Sequence, residues 1–162
     1  MSTLRTQAPK EGERLAEPPA GYDVDFHLWT VMQAKALSEG RGQALDIAHL
    51  VEEVEGLGKS VRREIRSRLI VLLQHLLKWQ FQPARRSPSW RATIREQRRE
   101  IAQELRESPS LARYPQECLA DQYEIARLRA AGETELPEET FPVACPFTIE
   151  QVLDEAFHPE AV

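Results

Sequence analysis

Residues 61–81 constrain the fold more than any other part of the sequence, because their apolar side chains recur at helical spacing. In the first half of this segment they form one stripe, and in the second half they occur almost all round the helix. A helix that is apolar on every side has to be surrounded by other helices. The stripe is formed by Val61, Ile65, Leu69, Leu72 and Leu76, and it is widened by Ile70, Val71, Leu73 and Leu77. We therefore predict a central helix that extends from Val61 to Phe81.

Capping and helix-terminating residues predict two helices before the central one. The first extends from Tyr22 to Gly40, whose left-handed conformation would close it. The second begins after Asp46, a suitable N-cap, and is expected to end at Gly56 and Gly58. Its apolar residues recur at steps of three and four and form an apolar stripe of Ile47, Leu50, Val51, Val54 and Leu57.

Similar signals predict three helices after the central one. Ser87-Pro88 and Ser108-Pro109 each combine an N-cap with proline at the first helical position, where its missing N–H costs nothing. Pro115 is expected to kink the second of these helices or to split off its first turn. A short last helix should follow the capping box formed by Thr148 and Gln151.

The predicted fold class is all-α. No strand pattern, glycine-rich phosphate loop or internal repeat occurs in the sequence. We predict a single-domain helical bundle of about five to six helices over residues 21–160, with an irregular, proline-rich C-terminal segment. Residues 1–20 are polar and contain several prolines, so we interpret them as a flexible N-terminal tail.

Composition favours a soluble cytoplasmic protein. Apolar residues make up 41% and charged residues 29% of the chain, an ordinary balance for a globular domain. The longest aliphatic run, Leu69 to Leu73, is far shorter than the ~20 residues that span a bilayer, and the N-terminus does not resemble a signal peptide. We therefore expect no membrane partner, and we expect Cys118 and Cys145 to be free thiols rather than a disulfide.

Four segments, in this order along the chain, resemble one known family. They are Leu45-Asp46 with Leu50 to Gly58, His75 to Gln80 with Gln82-Pro83, Ser89 to Arg95 with Arg98, and Phe141-Pro142 with Cys145-Pro146, Phe157 and Pro159. Together they are similar to the bacterial domain of unknown function 29 family, over about residues 22–159. The resemblance implies an all-helical single domain, and it implies no reaction, cofactor or catalytic residue. The chain departs from the expected pattern at Pro115.

The first candidate site is a polar face of the second helix that holds His49, Glu52 and Glu53 at positions i, i+3 and i+4. Helical bundles build metal sites from inward Glu and Glu-x-x-His side chains, which supply rigidly held ligands. Here the order is reversed, and the face points away from the apolar stripe of its helix. We therefore interpret it as a solvated acidic face; the alternatives are a partner-binding surface or, with His75, a metal or polar site.

His75 lies at the edge of the apolar stripe of the central helix, one turn from Val71 and from Trp79. A histidine in this position is a candidate general base, because neighbouring groups tune its pKa. However, no Ser or Cys nucleophile stands at a recognisable spacing from it. We interpret His75 as a structural residue whose ring nitrogens are satisfied locally.

The second candidate site is a basic surface. Residues 59–106 contain thirteen Lys and Arg and only four Glu, a local charge of +9 in a chain whose net charge is -5. Guanidinium groups on helix faces suit phosphate, but they equally suit pairing with acidic segments of the same chain, which we favour. The candidate anion-binding residues are Arg62, Arg63, Arg66, Arg91, Arg95, Arg98 and Arg99.

These observations leave three functional hypotheses. The favoured one is a non-enzymatic protein-interaction or regulatory module that binds a protein partner or itself, without a cofactor or metal. The second is a nucleic-acid-associated factor that binds through the arginine-rich helical surface. The third is a metal-dependent hydrolase that uses the Glu and His side chains named above. No residue is assigned a catalytic role by the sequence.

Overall fold

The structure, a computed structural model, describes residues 21–162, and every regular element in this range is helical. The predicted all-α fold class is thus confirmed, and the tail predicted over residues 1–20 lies outside the described residues. Short 3-10 turns lie between several of the α-helices. The α-helices of residues 21–162 are α1 (Phe26–Ser38), α2 (Ile47–Phe81), α3 (Pro88–Glu107), α4 (Tyr114–Thr134) and α5 (Ile149–Leu153).

The prediction of two helices separated near Gly56 and Gly58 was wrong, because α2 runs through both glycines. Helix α2 is one continuous helix of 35 residues. A glycine inside a helix costs only about 1 kcal/mol relative to alanine, so two of them do not stop a helix whose flanks favour it. An ion pair between Lys59 and Glu55, one turn apart at 3.1 Å, also supports the helix at this point.

The predicted start signals of the later helices are confirmed at Ser87 and Thr148, whereas Ser108 forms no capping hydrogen bond and precedes a 3-10 turn instead of α4. The Ser87 hydroxyl accepts a hydrogen bond from the backbone N–H of Trp90 at the start of α3. Pro115 lies in the first turn of α4, and a separate 3-10 turn at Pro109–Leu111 precedes that helix, so the turn is split off as predicted. Both hydrogen bonds of the capping box between Thr148 and Gln151 are present.

The described chain divides into two compact units. We call residues 21–54 the first unit and residues 55–162 the second unit. The sequence-based expectation of a single domain over residues 21–160 stays a prediction.

The core of the second unit is built on the C-terminal half of α2. Leu72 and Leu76 have no exposed surface, in agreement with the predicted central helix. Side chains of α3 and α4 complete the core, and the irregular segment before α5 adds Phe141 and Phe147. The buried Tyr123 of α4 holds this segment through a 2.6 Å hydrogen bond from its hydroxyl to a backbone carbonyl, that of Pro142. The C-terminal segment is therefore part of the core.

Replacement of Leu72 or Leu76 by alanine is expected to lower the free energy of unfolding by about 2–5 kcal/mol, because each change leaves a cavity in a fully packed region. Leu57, on the same helix, is 69% exposed and provides the matched control. Its change to alanine should cost less than about 1 kcal/mol. Equal losses for Leu57→Ala and Leu72→Ala in urea unfolding would contradict the assigned core.

Candidate functional site

The polar face predicted around His49 is a compact cluster within the first unit. The imidazole of His49 stacks on the ring of Tyr22, with 4.0 Å between the ring centroids and 14° between the planes. Its Nδ1 atom lies 2.7 Å from Oδ2 of Asp46. The Tyr22 hydroxyl donates a 2.6 Å hydrogen bond to Glu53, and the indole N–H of Trp29 donates to Asp46 at 3.3 Å.

These contacts shift the pKa values of the cluster. The hydrogen bond to Asp46 raises the pKa of His49, because the carboxylate stabilises the imidazolium. The same bond lowers the pKa of Asp46. The bond to Glu53 raises the pKa of Tyr22 to about 12, since a phenolate beside a carboxylate is disfavoured. The cluster thus favours the protonated form of His49, held between an aromatic ring and an aspartate.

This arrangement differs from the predicted orientation of the helix. The face expected to be solvated carries the half-buried His49 and Glu53, whereas Ile47, Val51 and Val54 of the apolar stripe are 59%, 52% and 66% exposed. The polar face is covered instead of the apolar stripe because Tyr22 and Trp29 carry polar groups that need hydrogen-bond acceptors. Tyr O–H and indole N–H groups need acceptors when they are partly buried, and the carboxylates of the polar face supply them.

The remaining predicted members of the polar site lie apart from this cluster. Glu52 is exposed on α2. His75 belongs to the second unit, where its Nδ1 lies 2.8 Å from the backbone oxygen of Val71 and burial lowers its pKa. Among residues 21–162, no group of three or more His, Cys, Asp and Glu side chains is arranged to hold a metal ion. The local satisfaction of the His75 ring agrees with a structural role.

The predicted basic surface separates into exposed arginines and one buried arginine. Arg98 is only 3% exposed. Its guanidinium donates to the backbone oxygens of Val152 (2.8 Å), Phe157 (2.9 Å) and Glu155 (3.4 Å). Burial lowers its pKa, although nearby acids oppose this shift. Arg98 therefore fastens the chain after α5 to α3 and is not part of an exposed surface.

The other six predicted arginines are exposed, and within residues 21–162 none of them forms an ion pair. Neutralisation by acidic segments of the same chain, the interpretation favoured from the sequence, is not seen for these residues in that range. Their charge is left available to a ligand. The six are Arg62, Arg63, Arg66, Arg91, Arg95 and Arg99.

Sequence reasoning missed a groove beside Trp79 in the second unit. Arg86, which was not among the predicted residues, donates from Nε to the backbone oxygen of Trp79 at 2.9 Å. Its guanidinium carbon lies 5.0 Å from the indole centroid, and that of Arg91 lies 5.5 Å from it. The groove has a volume of about 300 Å³ and is also lined by Ser87, Pro88, Ala92 and Arg95. The sequence signals of this groove were Arg91 and Arg95, already among the candidate anion-binding residues, and the paired arginines that precede Ser87-Pro88.

The helices of residues 21–162 lack the features of membrane-spanning segments. None of the helices in that range combines the length and the apolar character needed to cross a bilayer.

Comparison with known proteins identifies one family. A family model described as Domain of unknown function DUF29 matches residues 22–158. No curated protein and no solved structure matches the chain.

Replacement of Arg98 by leucine is expected to lower the free energy of unfolding by about 3 kcal/mol, because it removes hydrogen bonds from a charged donor to buried carbonyls. Arg99→Leu, an exposed neighbour on the same helix, is the matched control and should change stability by about 0.5 kcal/mol or less. Thermal and urea unfolding measure both changes. A loss shared equally by the two variants would show that Arg98 does not fasten the C-terminal segment.

Titration of His49 should reveal the contact with Asp46. The pKa of His49 in the folded protein is raised above its ordinary value of 6.5. The contact between the protonated ring and Asp46 therefore stabilises the folded protein fully below pH 6.5, and this contribution is lost as the pH rises through the folded pKa. We expect the free energy of unfolding to fall more steeply above pH 6.5 in the wild type than in His49→Gln. NMR titration of the ring supplies the direct measurement, and Asp46→Asn should move the pKa of His49 down towards 6.5. An unchanged pKa in Asp46→Asn would contradict the assigned contact.

Proposed function

Since the chain belongs to the family described as Domain of unknown function DUF29, whose description names no activity, we propose its function from its geometry: it is a protein-interaction module that self-associates through the first unit. The supporting observation is the exposed apolar surface of residues 21–54. This stretch contains eight of the thirteen large apolar side chains that are exposed in residues 21–162. The eight are Val24, Phe26, Val31, Met32, Leu37, Ile47, Val51 and Val54.

The first unit buries too little to account for its apolar content. Trp29 is the only large apolar side chain of residues 21–54 that is buried; the other buried residues of α1 are Gln33 and Ala36. Apolar residues occur on all sides of α1, a pattern typical of a helix that is enclosed. Most large apolar side chains of residues 21–54 are therefore exposed, as they would be on one side of a core before its partner packs against it.

A second copy of the chain is the occupant that fits this surface best. Ile47, Val51 and Val54 lie at i, i+4 and i+7 on α2, the spacing with which helices pack against one another. No charged side chain interrupts this stripe, so two copies meet apolar surface with apolar surface. Two pairs of helices brought together in this way would enclose a four-helix core. Such a two-fold interface uses the same patch on both subunits.

The two other hypotheses have less support. For a nucleic-acid-associated factor, the support is the set of six exposed arginines without ion pairs described above. A metal-dependent hydrolase would need His49 and Glu53 to be free for an ion, whereas they are engaged by Asp46 and Tyr22.

Sedimentation equilibrium of the full chain tests self-association. We expect a monomer–dimer equilibrium that Val51→Asp weakens at least 100-fold, because the change is made on both copies and each loses roughly 1.5 kcal/mol of apolar burial. Leu128→Asp is the matched control, since Leu128 on α4 is 50% exposed and Val51 is 52% exposed. The control should dimerise like the wild type. A wild-type chain that stays monomeric at all concentrations, or equal weakening by both variants, would overturn the proposal.

A further inference from the structure

We propose that the groove beside Trp79 binds the phosphate group of a small phosphorylated ligand, held by Arg86, Arg91 and Arg95. This inference concerns the second unit alone and is independent of the proposed self-association. All three arginines line the same groove of about 300 Å³ at the start of α3. A cavity of this size lies at the lower end of the range for small-molecule sites.

Arg86 is held in a fixed orientation with one donor unused. Its Nε atom is bonded to the backbone oxygen of Trp79, and its guanidinium stacks on the indole of the same residue. Its Nη2 atom is fully buried and has no partner within residues 21–162. A buried guanidinium N–H without an acceptor is unfavourable, and an oxygen atom of a bound anion would satisfy it after a small shift of the surrounding side chains, because Nη2 has almost no accessible surface.

The positive charge of the groove is not neutralised within residues 21–162. Arg86, Arg91 and Arg95 form no ion pair there, whereas Lys78, which precedes Trp79 in the sequence, is paired with Glu133. The positive end of the α3 dipole adds to the field at the groove.

His158 lies beside the same indole and offers a probe of the groove. Its ring centroid lies 5.0 Å from that of Trp79. Burial is the largest effect and lowers the pKa of His158; a hydrogen bond with the backbone of Ala156 raises it, and the charges of Arg98, Arg91 and Arg86 lower it further. An anion bound between Arg86 and Arg91 would offset these charges and raise the pKa of His158.

The chemistry of the groove favours phosphate. Guanidinium groups present paired N–H donors that match two oxygens of an oxyanion, and three of them suit the charge of a phosphomonoester. Stacking on the indole holds two of these groups in place before a ligand arrives, which reduces the entropy lost on binding. The small volume fits one phosphate group with a short organic part, and it does not fit a folded macromolecule.

The test follows the NMR signal of His158 in the full chain during titration with inorganic phosphate and, separately, with adenosine monophosphate, against sodium chloride of matched ionic strength. We expect saturable binding and a rise in the pKa of His158 with both phosphates and not with chloride. Tighter binding of the nucleotide would assign an organic phosphomonoester, and equal binding would assign free phosphate as the source of the group. Calorimetry gives the dissociation constants.

Two variants separate the groove from general charge. Arg91→Gln combined with Arg95→Gln should weaken binding at least tenfold, since each arginine supplies charge-assisted hydrogen bonds. Arg99→Gln, exposed on the same helix outside the groove, should bind within twofold of the wild type. All three substituted residues are exposed, so circular dichroism is expected to show the same fold in both variants.

Three results would overturn the proposal. One is a wild-type chain that shows no saturable phosphate binding and no change at His158, a result that depends on no variant. Another is an equal loss of binding in Arg99→Gln, which would indicate nonspecific attraction. The third is binding of a single-stranded oligonucleotide that requires Arg91 and Arg95 while phosphate and the mononucleotide do not bind, which would assign the groove to nucleic acid instead.

Discussion

Enclosure of the C-terminal half of α2 is the constraint on which the second unit depends. Leu69, Leu72, Leu73, Leu76 and Leu77 are fully buried on one broad face of the helix. Ile70, Gln74 and Lys78, which extend round to other sides, are at most 8% exposed, so most of the helix surface is covered there. One neighbouring helix cannot cover such a surface, so α3, α4 and the irregular segment before α5 all pack against it. The proline-rich segment thereby acquires a fixed path through Phe141 and Phe147, although it has few regular hydrogen bonds of its own.

Arg98 anchors the C-terminal segment, which has little regular structure of its own, to α3. Carbonyl groups at the end of a short helix lack partners, and a buried guanidinium with several donors in one plane satisfies them together. Burial of the charge is unfavourable, and the bonds to Val152, Phe157 and Glu155 offset that cost. The neighbouring Arg91, Arg95 and Arg99 keep their charge at the surface, so α3 uses the same residue type for two different purposes.

The first unit follows a different physical rule, because polar contacts determine which face of α2 is covered there. Tyr22 and Trp29 need acceptors for their polar tips, and Glu53 and Asp46 provide them. Because the aromatic side chains cover the polar face of α2, the apolar stripe of Ile47, Val51 and Val54 on the other face stays exposed. A surface that cannot be covered within residues 21–54 is the basis of the proposed self-association, and the arginine groove of the second unit offers a separate site for a small ligand.

The sequence by itself determined the helical elements, because helix periodicity, caps and prolines act over a few neighbouring residues. It predicted the buried Leu72 and Leu76, the cap at Ser87 and the split turn before Pro115. The burial of Arg98 could also have been predicted, because Arg98 lies between Ile94 and Ile101 at helical spacing, on the apolar stripe of α3. Only the tertiary structure decided that α2 is continuous, that His49 packs on Tyr22, and that Arg86 and Arg91 meet over Trp79. The positions of His49, Arg86 and Arg91 depend on contacts between separate elements, whose competing hydrogen bonds and packing a local pattern does not rank. The continuity of α2 is instead a local balance, in which the cost of Gly56 and Gly58 is too small to stop a helix favoured on both sides.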